Sequence, residues 1–324
     1  MANLGALAVT ELATLVQVSR LYYELGETQE SIAALVGVTR PQVSRLLKEA
    51  RAQGVVEIRI VDRTEVESPA GVALRERFRL QAVHLAPNLD GPAEVARRRV
   101  GRLAAQVLRA AIRDGMVVGV GDGASVSAVA DELATDAEGH ASGTPIDATI
   151  VPLCGGFWRP SAGTEPFRRI GEAMGLTVHA LHAPGLLDDA AVRDALYAHP
   201  GVRSAIELWE RLDVALLGIG GPTWTEASVG AKAFAELVAG GAVGEVLISP
   251  YSIDGRLVGE SLRGRTIAFD ARSLASVPLT IAVADGPAKI APILGALRTG
   301  LVNTLVTDVA TAEGVLNLAD EVAA

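Results

Sequence analysis

Beyond about residue 82 the chain repeats one pattern: a short run of Val, Ile, Leu and Ala, then a glycine or polar turn, then a helical segment. The clearest runs are 116–120, 148–153, 214–217, 243–248, 279–284 and 303–306. A strand buried on both faces reads as a continuous apolar run, and parallel strands need a crossover helix between them. The pattern therefore predicts an α/β domain on a mainly parallel sheet. Hydrophobic residues make up 49% of the chain and aromatics 4%, which provides a large aliphatic core and excludes the disordered classes. A length of 324 residues leaves room for about two domains on a prior of roughly 150 residues each.

The first 60 residues read differently. Leu12, Leu15, Val16, Val18 and Leu21 recur at helical spacing over 11–25, and Gly26 ends that segment. Thr28 is placed to cap a second helix that buries Ile32, Ala33, Leu35 and Val36. After Gly37, Thr39 and Gln42 stand at capping-box spacing, and Pro41 is tolerated in a first turn. Val43, Leu46, Leu47 and Ala50 form the apolar face of this third helix, Gly54 stops it, and the alternating VVEIRIV predicts a strand or wing.

Two short helices across a glycine turn match a helix-turn-helix, whose second helix presents its first turns to base edges. Here those turns expose Thr39, Arg40, Gln42, Ser44, Arg45 and Lys48. Arg can bond guanine bidentately, Gln can bond adenine, and Ser or Thr adapts to either. Gln29 is placed for a phosphate contact. An ordinary polar face on a helical hairpin is the alternative. The formal charge is −9, yet residues 1–60 hold six basic and six acidic side chains, so the acidity lies elsewhere. Such a balance excludes a chain coated for non-specific nucleic-acid binding but not one with a small reading surface.

Several strands end in glycine turns. Gly121-Asp122-Gly123-Ala124-Ser125 follows the run 116–120 and opens a helix, an arrangement that offers backbone N–H groups to an anion. Gly119, Gly121 and Ala124 also fit the dinucleotide pattern G-x-G-x-x-A, without the acidic residue expected some 20 residues on. A tight turn that binds nothing is the third reading. Gly155-Gly156 and Gly218–Gly220 end two further runs, and Asp285-Gly286-Pro287 ends another, with Lys289 in the next helical turn. Lysine is scarce, three against 26 arginines. Ligands of open α/β sheets bind beyond the carboxyl ends of strands, so these turns predict one shared crevice.

Other residues carry less. Cys154, the single cysteine, reads as a small apolar residue of the sheet and fits a reducing cytoplasm. His179 and His182 lie in a strand-like stretch with no completing ligand, so no metal is assigned, and no cofactor either. Trp209 and Trp224 read as packing residues. Residues 137–146 form the best internal loop. No basic leader precedes an apolar core at the N-terminus, and no apolar stretch is long enough to span a bilayer.

The run LYYELGETQESIAALVGVTRPQVSRLLKEARAQGVVEIRI resembles the N-terminal domain of the SorC family of sugar-responsive transcriptional regulators. The segments VGVGDGASVSAVADEL, VPLCGG, DVALLGIGG, GAVGEVLISPYSIDGRLV and VADGPAKIAPILGALRTGLVNTLVTD are similar, in order, to that family's effector domain. The resemblance implies a winged helix-turn-helix over 1–61. It also implies a Rossmann-like effector and oligomerisation domain over 62–324, related in fold to ribose-5-phosphate isomerase and glucosamine-6-phosphate deaminase. Base reading then falls to Arg40, Gln42 and Arg45, with Thr28, Gln29, Thr39 and Lys48 nearer the phosphates. Gly121–Ser125 would hold the phosphate or terminal hydroxyls of a sugar, polyol or sugar phosphate, and Cys154, Gly155, Gly156, Gly218, Gly220, Asp254 and Lys289 would line the pocket. The family's first loop runs roughly G-W-G-T-T; Asp122, Ala124 and Ser125 replace its aromatic and threonines here. Cys154 stands where some relatives that sense bisphosphates carry arginine. The atypical segment after Gly156 brings Trp158 and Arg159. The resemblance implies a homodimer or homotetramer. The rival readings are a sugar-phosphate isomerase or deaminase, for which Asp122, Asp254 and Asp285 are acid–base candidates outside any catalytic motif, and a nucleotide-responsive repressor.

Overall fold

The computed structural model describes residues 4–56, 68–88, 92–139, 146–156 and 165–323, with backbone alone over 4–11 and 136–139. The expected wing beyond Val56, the expected boundary at 61/62, and Trp158 with Arg159 lie outside the described residues. The chain forms two compact units, Met1–Glu65 and Val66–Ala324.

The first unit packs three helices. The first runs Leu4–Ser19 and continues as one π turn, Arg20–Glu24, so the α-helix expected over 11–25 begins earlier and loosens at its end. Thr28 Oγ1 accepts from Ser31 N at 3.1 Å and caps the helix Gln29–Val36, which closes on left-handed Gly37. The helix Arg40–Ala52 follows. Val18, Ile32, Val43 and Leu47 form the core. Leu35 was expected inside but is 64% exposed: the short helix buries one narrow stripe, and position 35 falls beyond it.

The second unit has seven parallel strands in the order β1-β9-β8-β5-β2-β3-β4. They are β1 Ala82–Ala86, β2 Val117–Val120, β3 Thr149–Pro152, β4 Thr177–Val178, β5 Val214–Gly218, β8 Leu279–Val283 and β9 Thr304–Asp308. Successive side chains go to opposite faces, as the two-residue strand period requires. Val118, Val120, Ile150, Val214, Leu216, Ile281 and Val283 pack under the helices Ala93–Ala111, Ala124–Gly139 and Pro166–Met174. Val117, Val151, Ala215, Leu217, Ala282 and Leu305 meet the helices Pro200–Trp209, Ile290–Thr299 and Val309–Glu321 on the other face. The result is a helix–sheet–helix sandwich.

Two expectations are corrected. The run 243–248 is not part of the main sheet: β6 Ala242–Val246 pairs antiparallel with β7 Ser249–Ser252 as a separate hairpin. Its two-residue turn holds Leu247 and Ile248 at φ of 49° and 59°, a left-handed conformation normally left to Asn and Gly. Burial of both side chains holds them there. The loop expected over 137–146 begins later, because the helix from Ala124 extends to Gly139.

The topology fixes where a ligand is met. From β2 the chain steps outward to β3 and β4, then returns to the other side of β2 to lay down β5, β8 and β9. The strand order reverses between β2 and β5, and a crevice opens beyond the carboxyl ends of strands at such a switch point.

Candidate functional site

In the first unit, Thr28, Thr39, Arg40, Gln42, Ser44, Arg45 and Lys48 are all exposed, and Gln29 is half-buried. Ser44, Arg45 and Lys48 share one face of the helix Arg40–Ala52, opposite Val43, Leu47 and Ala50. Gln42 stands apart. Its Oε1 accepts from Thr39 N at 2.8 Å and from Thr39 Oγ1 at 2.9 Å. That oxygen is committed to the cap, and a bidentate adenine contact needs both ends of the amide.

In the second unit, the switch point joins the turns after β2 and β5. Gly121 N donates to Leu216 O at 2.8 Å, and a Cβ at Gly218 would lie 3.2 Å from Asp122 O. Asp122 folds back so that its Oδ1 accepts from Gly123 N at 2.7 Å. Gly123 and Ala124 are exposed, while Ser125 is buried at the helix start, beside the Asp285 carboxyl whose charged form it favours. The Asp285 side chain is 6% exposed, with Arg97 Nε 3.7 Å away. Burial raises its carboxyl above the ordinary carboxylate range; Arg97 opposes this and Asp308 adds to it. Gly286 N, one residue on, donates to Thr311 Oγ1 at 2.9 Å and Asp308 Oδ2 at 3.2 Å.

Lys289 follows β8 and reaches the turn after β5. Its Nζ donates to Ile219 O at 2.7 Å. Burial lowers its pKa, and Asp285 and Glu245 oppose that shift. Glu245 comes from the hairpin, bridges to Gly220 through its backbone, and accepts from Trp224 Nε1 at 3.1 Å. A Cβ at Gly220 would meet Glu245 Cγ at 2.5 Å, so a side chain at this position would have to displace that of Glu245.

Cys154 is buried beside the same turn, and burial pushes its thiol up to about 12, with Asp122 and Glu245 adding to the effect. It is a neutral packing group, not a thiolate. Gly155 and Gly156 are built into backbone crossings: Gly155 N donates to Ile267 O, Gly156 N to Ala183 O, and a Cβ at Gly155 would lie 2.5 Å from Ala183 O. Gly119 has a packing role too, since its Cβ would come within 2.4 Å of Leu153 Cδ2. That contact explains a glycine the dinucleotide pattern also accommodates. Trp209 is buried and donates to Pro152 O.

The structure thus brings together Gly121–Ser125, Cys154, Gly218, Gly220 and Lys289. It sets Asp254 apart. That residue is exposed beyond β7, where Arg298 donates to Ile253 O; Arg298 ends the helix whose start carries Lys289. Sequence reasoning missed Arg97, Glu245, Asp308 and Thr311. Only Asp308 and Thr311 had a local signal, an Asp closing the last strand with a Thr three residues on, the spacing of a helix cap. Among the described residues, no group of three His, Cys, Asp or Glu is arranged to hold a metal, and no helix is long and apolar enough to cross a membrane.

A family model described as a putative sugar-binding domain matches residues 62–317, and a Crp-like helix-turn-helix model matches residues 7–73. The sorbitol operon regulator of Klebsiella pneumoniae is 28% identical, over 94% of this chain and 97% of its own. The crystal structure of that full-length regulator, SorC, superposes with a TM-score of 0.74 over 94% of this chain and 98% of its own. The chain belongs to the SorC family. The deoxyribonucleoside regulator of Bacillus subtilis (strain 168) is 26% identical over 93% of this chain and 96% of its own. A sugar-binding domain of a transcriptional repressor from Vibrio fischeri, 28% identical, superposes with a TM-score of 0.67 over 78% of this chain and 98% of its own. As a SorC-family member, the chain is a DNA-binding transcriptional regulator under the control of a sugar-class effector, not an enzyme. The α/β fold with an N-terminal helix-turn-helix is that of the family.

Proposed function

We propose that this cytoplasmic regulator reads a two-part operator through Arg45, Ser44 and Arg40, with Lys48, Gln29, Thr28 and Thr39 near the phosphates. The unit beyond residue 62 would then sense a sugar, polyol or sugar phosphate in the crevice between β2 and β5. The observation that carries this reading is the switch point of the sheet, where Gly121 N–H ties the turn after β2 to Leu216 O of β5 and Lys289 is held on Ile219 O in the turn after β5. Effector binding that favours one state of the crevice shifts the spacing of paired reading helices, and hence operator affinity. Helix-turn-helix proteins read half-sites about 34 Å apart, so the working unit is a dimer or a pair of dimers.

The test begins by selecting a binding site from random duplexes with the full-length protein. Affinity for that site is then measured by fluorescence anisotropy, with and without C4–C6 sugars, polyols and their phosphates. A site with two related halves, and a change of affinity with one of these compounds, is the expected result. Selection of no sequence, or indifference to every compound, would overturn the proposal.

A further inference from the structure

The hairpin β6–β7 meets the glycine turns after β2, β3 and β5. Its backbone pairs with the turn after β5: Gly220 N donates to Glu245 O at 2.9 Å, and Glu245 N to Gly220 O at 3.2 Å. At its tip Leu247 sits against the turn after β2, where a Cβ at Gly121 would lie 3.3 Å from Leu247 Cδ2. Ile248 reaches the backbone crossing after β3. There a Cβ at Gly185 would lie 3.1 Å from Ile248 Cδ1, and Gly185 N donates to Gly156 O at 2.8 Å. Strand β7 ties the hairpin to the helix that follows Lys289, through the Tyr251 hydroxyl on Pro292 O at 3.1 Å.

The tip is an unfavourable place for these two side chains. A two-residue turn with both φ angles above zero forms most readily with Asn-Gly. Here the angles are 49° at Leu247 and 59° at Ile248, and a β-branched residue is a clear outlier in that region. Such strain persists only where the surroundings over-determine it, and it collects at ligand and switch sites. Both residues are buried, 8% and 9% exposed. A turn that only joined two strands would fold better with small polar residues. The bulk serves the places the side chains reach, beside Gly121 and Gly185. Gly121 N is fixed on Leu216 O at 2.8 Å, so the turn after β2 rests between β5 and Leu247. Resting on the proposed sensor reading, we infer that Leu247 and Ile248 form a wedge that sets the depth of the effector crevice. Leu247, under the turn after β2, then determines the length of effector that the crevice accepts.

The test uses the full-length protein and a ladder of compounds: erythritol, ribitol and glucitol, with erythrose 4-phosphate, ribose 5-phosphate and glucose 6-phosphate. Affinities are measured by calorimetry, and thermal melts show that each variant folds. Leu247→Ala should move the affinity ratio between adjacent lengths toward the longer compound by about tenfold or more, the discrimination one carbon carries in a fitted apolar pocket. Leu247→Met, of similar volume, should keep the wild-type order. Leu247→Asn shortens the side chain and suits a left-handed backbone, so it should shift the order as alanine does even if the alanine variant does not fold. An unchanged order in the shortened variants, with every compound weakened by one common factor or not at all, would overturn this inference. The two residues would then only pack the hairpin, and the sensor reading would stand. If no compound of the ladder binds wild type while operator binding is intact, the sensor reading falls and this inference with it.

Discussion

Arg45 and Gln42 sit three residues apart on one helix and were expected to do the same work. Their surroundings separate them. Arg45 is exposed and makes no hydrogen bond or ion pair with another described residue, so a bidentate contact to guanine needs no rearrangement. Gln42 has its carbonyl on Thr39 and acts first as part of a cap. Arg45→Ala should therefore cost about 1–3 kcal/mol of discrimination at one base pair while leaving the melting temperature nearly unchanged. Gln42→Ala should do the reverse, losing about 1 kcal/mol of stability, as cap removals do, and little base preference. Anisotropy against operators with single base-pair changes, paired with thermal melts of each variant, separates the two. Equal loss of preference in both variants would show that Gln42 leaves its cap to read a base.

Strand β2 shows how tightly element packing constrains the site. Gly119 lies mid-strand where a Cβ would strike Leu153 at 2.4 Å and Leu212 at 2.9 Å, so Gly119→Ala overfills the layer beneath the ligand turn. A cost of about 1–3 kcal/mol in urea unfolding is expected, with no new affinity for nucleotides. Elements whose cause is local were legible in the sequence. The caps at Thr28 and Thr39 and the apolar runs behind β2, β5 and β8 needed only neighbouring residues. Strands β1 and β4 were not legible: β1 is a half-buried edge strand interrupted by His84, and β4 is two residues long. The run 243–248 was recognised as a strand but assigned to the wrong sheet, because an apolar run carries no information about its partner. The crevice divides the same way. Its glycine turns and Lys289 were visible as local patterns, but Arg97 and Glu245 reach it only through the order in which the strands are laid down.

At the scale of the whole molecule, the reading helix and the crevice belong to different units, and regulation requires that the two share one equilibrium. An effector has no influence unless it binds one state of the regulator better than the other, and the coupling is then the same free energy seen from either ligand. This requirement yields a quantitative prediction. If the effector weakens operator affinity by some factor, saturating operator must weaken effector affinity by that same factor; couplings of this kind typically amount to about 1–3 kcal/mol, or about 5–150-fold. Operator affinity with and without effector gives one value by anisotropy, and effector affinity with and without operator gives the other by calorimetry. Agreement would show that both sites bias one conformational equilibrium. Two unequal factors, measured at one salt concentration because phosphate contacts make operator affinity salt-dependent, would mean that the effector acts on something besides the operator-bound state, such as the assembly of subunits.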